Sequence, residues 1–401
     1  MKTEVIMAEY APDGYDVAGP RNMRLELEDG SIFLGRSFGA SLAADGEVVF
    51  STAMTGYPDS LTDPSYRGQI LVLTYPLQGN YGVGTGPFES ERIQVQGLVV
   101  GHASRFGSHF TYARSLGQWL KGDGVPGLCD VDTRALTERL RERGTMKGRL
   151  EFVNGTAQAA KSARRPSVDM SNVLKLVTPG DLALHVPEQP CGLRVLMIDL
   201  GYKASLLGAL LTRGIEVLRA PWHAAWECHI DSVDGVFMSN GPGDPTSTGD
   251  LPARVGALFA LGKPIFGVCM GHQILGLAAG ASTKKMRYGH RGVNQPVQDL
   301  LTGRGYISSQ NHGYMVDDST LAKGFLPWFR NLNDNSNEGI RHAKLPIYSV
   351  QFHPEGAPGP HDTTFLFDRF VDDLWHYKAR DKSSVSVASV APSIKRDEVQ
   401  L

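Results

Sequence analysis

The residues in this chain best placed to do chemistry are Cys269, His353 and Glu355. Cys269 stands at the centre of Gly267-Val268-Cys269-Met270-Gly271. A short apolar strand, 264–268, is expected to lead into it and a helix from about Gly271 to lead away. The G-x-C-x-G spacing is the cysteine counterpart of a nucleophile elbow. Its glycines let strand and helix approach closely around a strained residue. At a helix start the sulfur meets the positive end of the helix dipole, which favours a thiolate. The backbone N–H of Met270 is then placed to stabilise an oxyanion. A free cysteine is more often a core residue than a nucleophile, so this stretch needs company.

Two other stretches supply it. Pro346–Phe352 reads as a strand that ends in His353-Pro354-Glu355. If that end folds back on Cys269, His353 can serve as a general base and Glu355 can orient it. Ser239-Asn-Gly-Pro-Gly-Asp-Pro245 follows another apolar run, and its N–H groups could face the same crevice; the plain alternative is a turn.

The elements around these stretches set the domain plan. From Arg194 onward, apolar strands alternate with helices (Val195–Gly201, then 215–218, 235–240 and 264–268), the pattern of a doubly wound, mostly parallel α/β sheet. Sites in such sheets form at the carboxyl ends of strands, which is where Cys269 and the Gly-Pro-Gly turn fall. Asp362 is expected to cap a last helix. The first half reads as an α+β domain with strands and few helices: 23–28 alternates apolar and polar, Asp29-Gly30 signals a hairpin, and Val131–Arg143 is a helix capped by Asp132. Thr55–Tyr66, rich in turn formers, reads as a loop. The expected division is a disordered leader over 1–20, a first domain over 21–155, a linker over 156–192, a second domain over 193–378 and a flexible tail over 379–401.

Composition narrows the classes. A chain of 401 residues suits two domains, and a formal net charge of -2 gives no basic excess for nucleic acid. The four cysteines (129, 191, 228, 269) are scattered, with no C-x-x-C, so neither a metal site nor a disulfide framework is expected. No apolar run reaches a membrane span, and no signal or transit segment is seen, which fits a cytoplasmic protein.

The three motifs together resemble the signatures of class I (triad) glutamine amidotransferases: Gly267-Val-Cys-Met-Gly-His-Gln273, Ser239–Pro245 and Gln351-Phe-His-Pro-Glu355. In the first half, Gly46–Phe50, Met54–Pro58, Leu61–Tyr66 and Leu73–Gly82 resemble the small subunit of carbamoyl-phosphate synthase, as do Asp130–Arg134, Ser309–Tyr314 and Asn335–Gly339. The resemblance covers about residues 23–378. It implies that Cys269 attacks the glutamine side-chain amide, His353 shuttles protons and Glu355 orients His353. It implies an oxyanion site at the N–H groups of Gly241 and Met270. It implies a glutamine pocket of Ser65, Gly241, Gly243, Met270, Gln273, Asn311, Gly313 and Tyr314. Ammonia would pass through a tunnel to a large synthetase subunit that uses ATP, Mg and bicarbonate; no cofactor is expected in this chain. Three departures stand out: Ser205 where the family usually has Asn, Met270 where Leu is commoner, and Gly289–Asn294, which differs mildly from the usual glycine- and His/Asn-rich loop. The alternatives are a non-catalytic subunit on the same fold, an amidotransferase of another synthase, or a free γ-glutamyl hydrolase. The sequence leaves open whether the product serves arginine or pyrimidine synthesis.

Overall fold

The computed structural model describes residues 21–153 and 163–388. The expected leader, 1–20, lies outside them, as do 154–162 and 389–401. Strand β1 (Met23–Leu27) buries Met23, Leu25 and Leu27 and leaves Arg24 and Glu26 partly exposed, the period-two signature of a half-buried strand. It pairs with β2 (Ile32–Gly39) across the Asp29-Gly30 turn, where Gly30 takes a φ of 85°. β3 (Leu42–Ser51), β4 (Gln69–Gln78), β5 (Gly97–Ala103), β6 (Pro126–Cys129) and β7 (Met146–Phe152) complete this sheet. Because β3 pairs with both β7 and β4, seven strands close on themselves and leave no free edge among them.

The expected loop between β3 and β4 is instead α1 (Tyr57–Thr62) followed by a 3₁₀ turn, Pro64–Tyr66. The turn formers here are helix starters: Pro58 stands in the first turn of α1, and the Asp63 side chain accepts the Ser65 N–H. Two further helices are α2 (Leu116–Gly122) and α3 (Thr133–Arg143). In α3, Asp132 accepts the Ala135 N–H, Leu136 and Leu140 are buried, and Gly144 ends the helix at φ 98°.

Within the stretch expected to be a linker, 156–192, the described residues from 163 onward contribute to both sheets. β8 (Ala163–Arg164) lies parallel to β3, α4 (Val173–Val177) buries Val173 and Leu174, and β9 (Ala183–His185) forms an antiparallel edge of the second sheet. Elements of two, five and three residues are too short for periodicity to reveal.

At the centre of the second sheet five strands run parallel: β10 (Arg194–Asp199), β11 (Glu216–Pro221), β12 (Gly235–Met238), β13 (Ile265–Val268) and β18 (Ile347–Val350), in the spatial order β18-β13-β12-β10-β11. β14 (Ser282–Asp299), β15 (Gly305–Asp317), β16 (Phe325–Asn331) and β17 (Asn337–His342) extend it in antiparallel fashion beyond β18. Val195 and Met197 pack on one side with Leu206 and Leu210 of α5 (Ala204–Leu211) and Phe367 and Phe370 of α8 (Phe365–Ala388). Leu196 and Ile198 pack on the other with Leu251 and Val255 of α6 (Leu251–Ala257) and Ile274 and Leu275 of α7 (Met270–Ala278). Helices on both faces explain why β10 is apolar at every position from Val195 to Ile198. α8 runs on to Ala388, into the stretch expected to be a tail from 379. Asp362, expected to cap it, accepts the Ile307 N–H at 3.3 Å. No described helix is long and apolar enough to cross a membrane.

Candidate active site

Cys269 is the joint between β13 and α7. Its φ of 54° and ψ of -102° are a conformation that residues with side chains rarely adopt. The surroundings hold it there: its N–H donates to Val350 O at 2.9 Å, and its carbonyl accepts the Gln273 N–H at 3.1 Å. A Cβ on Gly267 would lie 2.6 Å from Gly271 O, and one on Gly271 would lie 2.5 Å from Met238 O. Neither position has room for a side chain, which is the physical content of the G-x-C-x-G pattern. The Cys269 sulfur is buried, 3.6 Å from Asn311 O.

His353 arrives from the neighbouring strand, β18, and Ser309 O holds its backbone N–H at 2.8 Å. Its Nδ1 lies 2.7 Å from Glu355 Oε1. Its Nε2 is buried and faces Cys269, whose side chain acts on the ring as a hydrogen-bond partner beside the charges of Glu355 and Lys203. Lys203 Nζ donates to the same Glu355 oxygen at 2.7 Å and also to the Ala357 carbonyl. Burial, the largest influence, and Lys203 pull the imidazole pKa down, but the Glu355 charge together with the hydrogen bonds to Cys269 and Glu355 lifts it to about 10. Burial pushes Glu355 up, and Lys203 and His353 bring it down to about 2.

In front of Cys269 opens a cavity of about 440 Å³. Ser65, Gly241, Gly243, Met270, Gln273, Asn311, Gly313 and Tyr314 all line it with Cys269. His353 lies off this wall, beside a far smaller cavity that it shares with Asp63, Lys203 and Asn311. Gln273 Nε2 donates to Tyr314 O at 2.9 Å and to Gln351 Oε1 at 3.1 Å, which fixes its amide. Ser65 reaches in from the first domain, and its hydroxyl accepts Asn240 Nδ2 at 2.9 Å. The structure thus brings Cys269 and every expected pocket residue to one crevice at the carboxyl ends of β12, β13 and β18, with His353 and Glu355 set off its wall. Its chemistry is that of a buried thiol beside a carboxylate-held imidazole, facing a polar pocket sized for a small molecule.

The comparisons with known proteins agree with this arrangement. Residues 25–150 match the family described as carbamoyl-phosphate synthase small chain, CPSase domain, and residues 196–373 match glutamine amidotransferase class-I. The chain is 44% identical over 364 residues to the carbamoyl phosphate synthase small chain of Pyrococcus furiosus, covering 87% of this chain and 97% of that one. It belongs to the carbamoyl-phosphate synthase small-chain family. A Yarrowia lipolytica relative, the carbamoyl phosphate synthase arginine-specific small chain, is 45% identical over 381 residues, with 90% of this chain and 84% of that one covered. The multifunctional protein URA2 of Saccharomyces cerevisiae is 43% identical over 413 residues; 93% of this chain is covered, and it spans 19% of that protein's length.

Of these departures, Met270 lines the cavity and Ser205 lies outside it. The Ser205 hydroxyl donates to Glu89 Oε2 at 2.7 Å, so a donor is kept where Asn is usual. Sequence reasoning missed Asp63, which accepts the Ser65 N–H at 2.8 Å, Asn311 Nδ2 at 2.8 Å and Asn240 Nδ2 at 3.4 Å. One carboxylate therefore binds both domains' pocket residues. Its signal was its place ahead of Pro64-Ser65, where Asp starts a turn. Also missed were Glu47, Lys285 and Arg291 on the cavity wall, which the sequence reading gave no part in the site. Lys285 pairs with Glu47 at 2.8 Å, and burial lowers the Arg291 pKa. Elsewhere, His290, His312 and Glu338 lie close enough to suggest a metal. Their ring nitrogens are already engaged: His290 by Glu338 and Asp334, His312 by Gln310 and Tyr314 O.

Proposed function

We propose that this chain hydrolyses L-glutamine and delivers the ammonia to a carbamoyl-phosphate synthase large subunit. The observation that carries the reading is Cys269, held at positive φ on the floor of the polar cavity with the His353–Glu355 pair against it. The Cys269 sulfur attacks the amide carbon of the glutamine side chain, with the thiol proton held on His353 Nε2, where the raised pKa of the ring keeps it. The oxygen gains charge and is met by the N–H groups of Gly241 and Met270. The C–N bond breaks as His353 returns its proton to the leaving nitrogen, which departs as ammonia and leaves a γ-glutamyl thioester. His353 then takes a proton from water, hydroxide adds to the thioester carbon, and glutamate leaves with the sulfur reprotonated.

Ser65, Gly243, Gln273, Asn311, Gly313 and Tyr314 hold the α-amino and α-carboxylate ends, which need several convergent polar partners. ATP, Mg and bicarbonate belong to the partner's reaction, in which ammonia meets carboxyphosphate. A cytoplasmic location fits a substrate and partner of this kind. Names among the relatives point to both arginine-specific small chains and multifunctional proteins, so either supply route suits the site.

The test is glutamine hydrolysis by the purified chain, with and without a large subunit, for wild type and Cys269→Ala. Hydrolysis that the partner stimulates and Cys269→Ala abolishes is expected. Equal inertness of both forms with the partner bound overturns the reading in favour of a non-catalytic subunit.

A further inference from the structure

Glu89 is a carboxylate of the first domain, 5% exposed, on the connection between β4 and β5. It abuts the start of α5 in the second domain. The first turn of a helix leaves N–H groups without partners, and Lys203, at the N-cap of α5, offers no side-chain cap. Glu89 supplies what is missing. Its carbonyl accepts the Ala204 N–H at 3.0 Å, and its Oε2 accepts the Ser205 N–H at 3.1 Å and the Ser205 hydroxyl at 2.7 Å. Glu89 is itself pinned: its N–H donates to Thr62 Oγ1 at 3.1 Å, at the end of α1 and one residue from Asp63.

The residue ahead of this cap is Lys203. Its N–H donates to Asn240 Oδ1 at 3.0 Å, and its ammonium reaches Glu355. Burial alone would lower the Lys203 pKa; the charges of Glu355, then Glu89, then Asp63 outweigh it and hold the ammonium form. Burial likewise raises the Glu89 pKa against the pull of Lys203 and Ser205. A carboxylate so deeply buried is costly unless it is hydrogen-bonded and faced by a cation, and both conditions are met here.

We propose that Glu89 is a positioning residue for glutamine hydrolysis: it caps α5 across the domain boundary, and so fixes where Lys203 stands against Glu355 and where Glu355 holds His353. The proposal rests on the glutaminase reading above. Glu89 lines no part of the glutamine cavity and hydrogen-bonds no member of the triad, so it acts through Lys203. The consequence is that the triad is aligned only while the two domains are docked. Ser205 fits the same role, because its hydroxyl is the shorter of the two bonds it gives Glu89.

The experiment measures kcat and KM for glutamine with the full chain bound to a large subunit, for wild type, Glu89→Ala, Glu89→Gln, Lys203→Met and the Glu89→Ala/Lys203→Met double variant. Glu89→Ala is expected to lower kcat roughly tenfold or more with KM within about twofold, since only the alignment of the reacting groups suffers. Glu89→Gln should recover most of the loss, because its amide oxygen still accepts the Ser205 bonds. In the Lys203→Met background, Glu89→Ala should add less than about twofold, because the path it acts through is gone.

Wild-type kcat in a folded Glu89→Ala variant overturns the inference. So do losses that multiply in full in the double variant, which would mark a purely structural residue. If Glu89→Ala does not fold, Ser205→Ala decides: a lower kcat at unchanged KM supports the proposal, and wild-type kcat overturns it. An active wild type, an inert Cys269→Ala variant and an unaffected Glu89→Ala variant overturn this inference alone. An inert wild type overturns the glutaminase reading and this inference with it.

Discussion

Lys203 Nζ and His353 Nδ1 each lie 2.7 Å from the same atom, Glu355 Oε1, and all three side chains are buried. The other carboxylate oxygen, Oε2, has no hydrogen-bond partner among the described residues. One oxygen thus bridges an ammonium that stays charged and an imidazole that must cycle its proton. Glu355 holds the ring by its Nδ1 face, which leaves Nε2 for the thiol.

Replacing Glu355 by Gln should move the His353 titration down. Burial and Lys203 both disfavour the imidazolium; the Glu355 charge and hydrogen bond, helped by the hydrogen bond to Cys269, overcome them in the wild type, where the pKa stands at about 10. Imidazole nitrogen shifts followed by NMR across pH would show it, and a midpoint that stays put would mean that Glu355 does not set the charge. The linkage has a definite sign. A pKa raised above the ordinary 6.5 contributes stability that is complete below about pH 6.5 and is lost as pH rises through about 10. The Glu355→Gln variant should lack that decline.

Asp63→Ala should raise KM for glutamine more than it lowers kcat. Asp63 fixes Ser65 and Asn311 from opposite sides of the domain boundary, and both face the cavity. Hydrogen bonds to a charged group are worth about 1.5–3 kcal/mol, so the loss corresponds to roughly a ten- to hundredfold weaker affinity. Steady-state kinetics on the variant decide it; an unchanged KM would show that the pocket holds its shape without this carboxylate.

Cys269, His353 and Glu355 were legible in the sequence because the constraints on them are local. A strand, a sharp turn and a helix within a few residues dictate glycines at 267 and 271, and His353 and Glu355 reach their partners only two residues apart. The parallel centre of the second sheet was legible because burial on both faces writes continuous apolar runs. Asp63, Glu89 and Arg291 were not, because what gives them meaning lies in the other domain or on a strand distant in sequence: Asn311 for Asp63, Ser205 for Glu89, Glu47 for Arg291. The closure of the first sheet through β3 and β4 is likewise a long-range pairing that no window of sequence contains. β8 and β9 were hidden by their length.

His290 predicts a second pH effect, on stability alone. Burial would lower its pKa, but Asp334 at 2.9 Å from Nε2 and Glu338 at 3.2 Å from Nδ1 raise it to about 9. That contribution is complete below about pH 6.5 and is lost as pH rises through about 9. The unfolding midpoint of the wild type should therefore fall over this window. His290→Gln should be less stable at pH 6 and show a shallower decline, leaving the part due to His353. A wild type with no decline between pH 6.5 and 9 would contradict both assignments.

The glycines make the sharpest stability test, because two of them predict opposite signs. A Cβ on Gly271 would stand 2.5 Å from Met238 O and 2.7 Å from Met238 Cβ, so β12 and α7 must move apart to admit Ala. Such overpacking costs about 1–3 kcal/mol. It also displaces Cys269, two residues away, and a shift of about 1 Å there can cost roughly a hundredfold in rate. Gly208, inside α5, has nothing within 4 Å of where a Cβ would lie. Gly208→Ala should instead stabilise by about 0.5–1 kcal/mol, the difference in helix propensity, with glutamine hydrolysis unchanged. Unfolding midpoints for the pair, read beside hydrolysis rates, separate the two cases. If both variants gained stability, crowding against Met238 would not be what demands glycine at the elbow; if both lost it, the middle of α5 would be under a constraint that its open surroundings do not show.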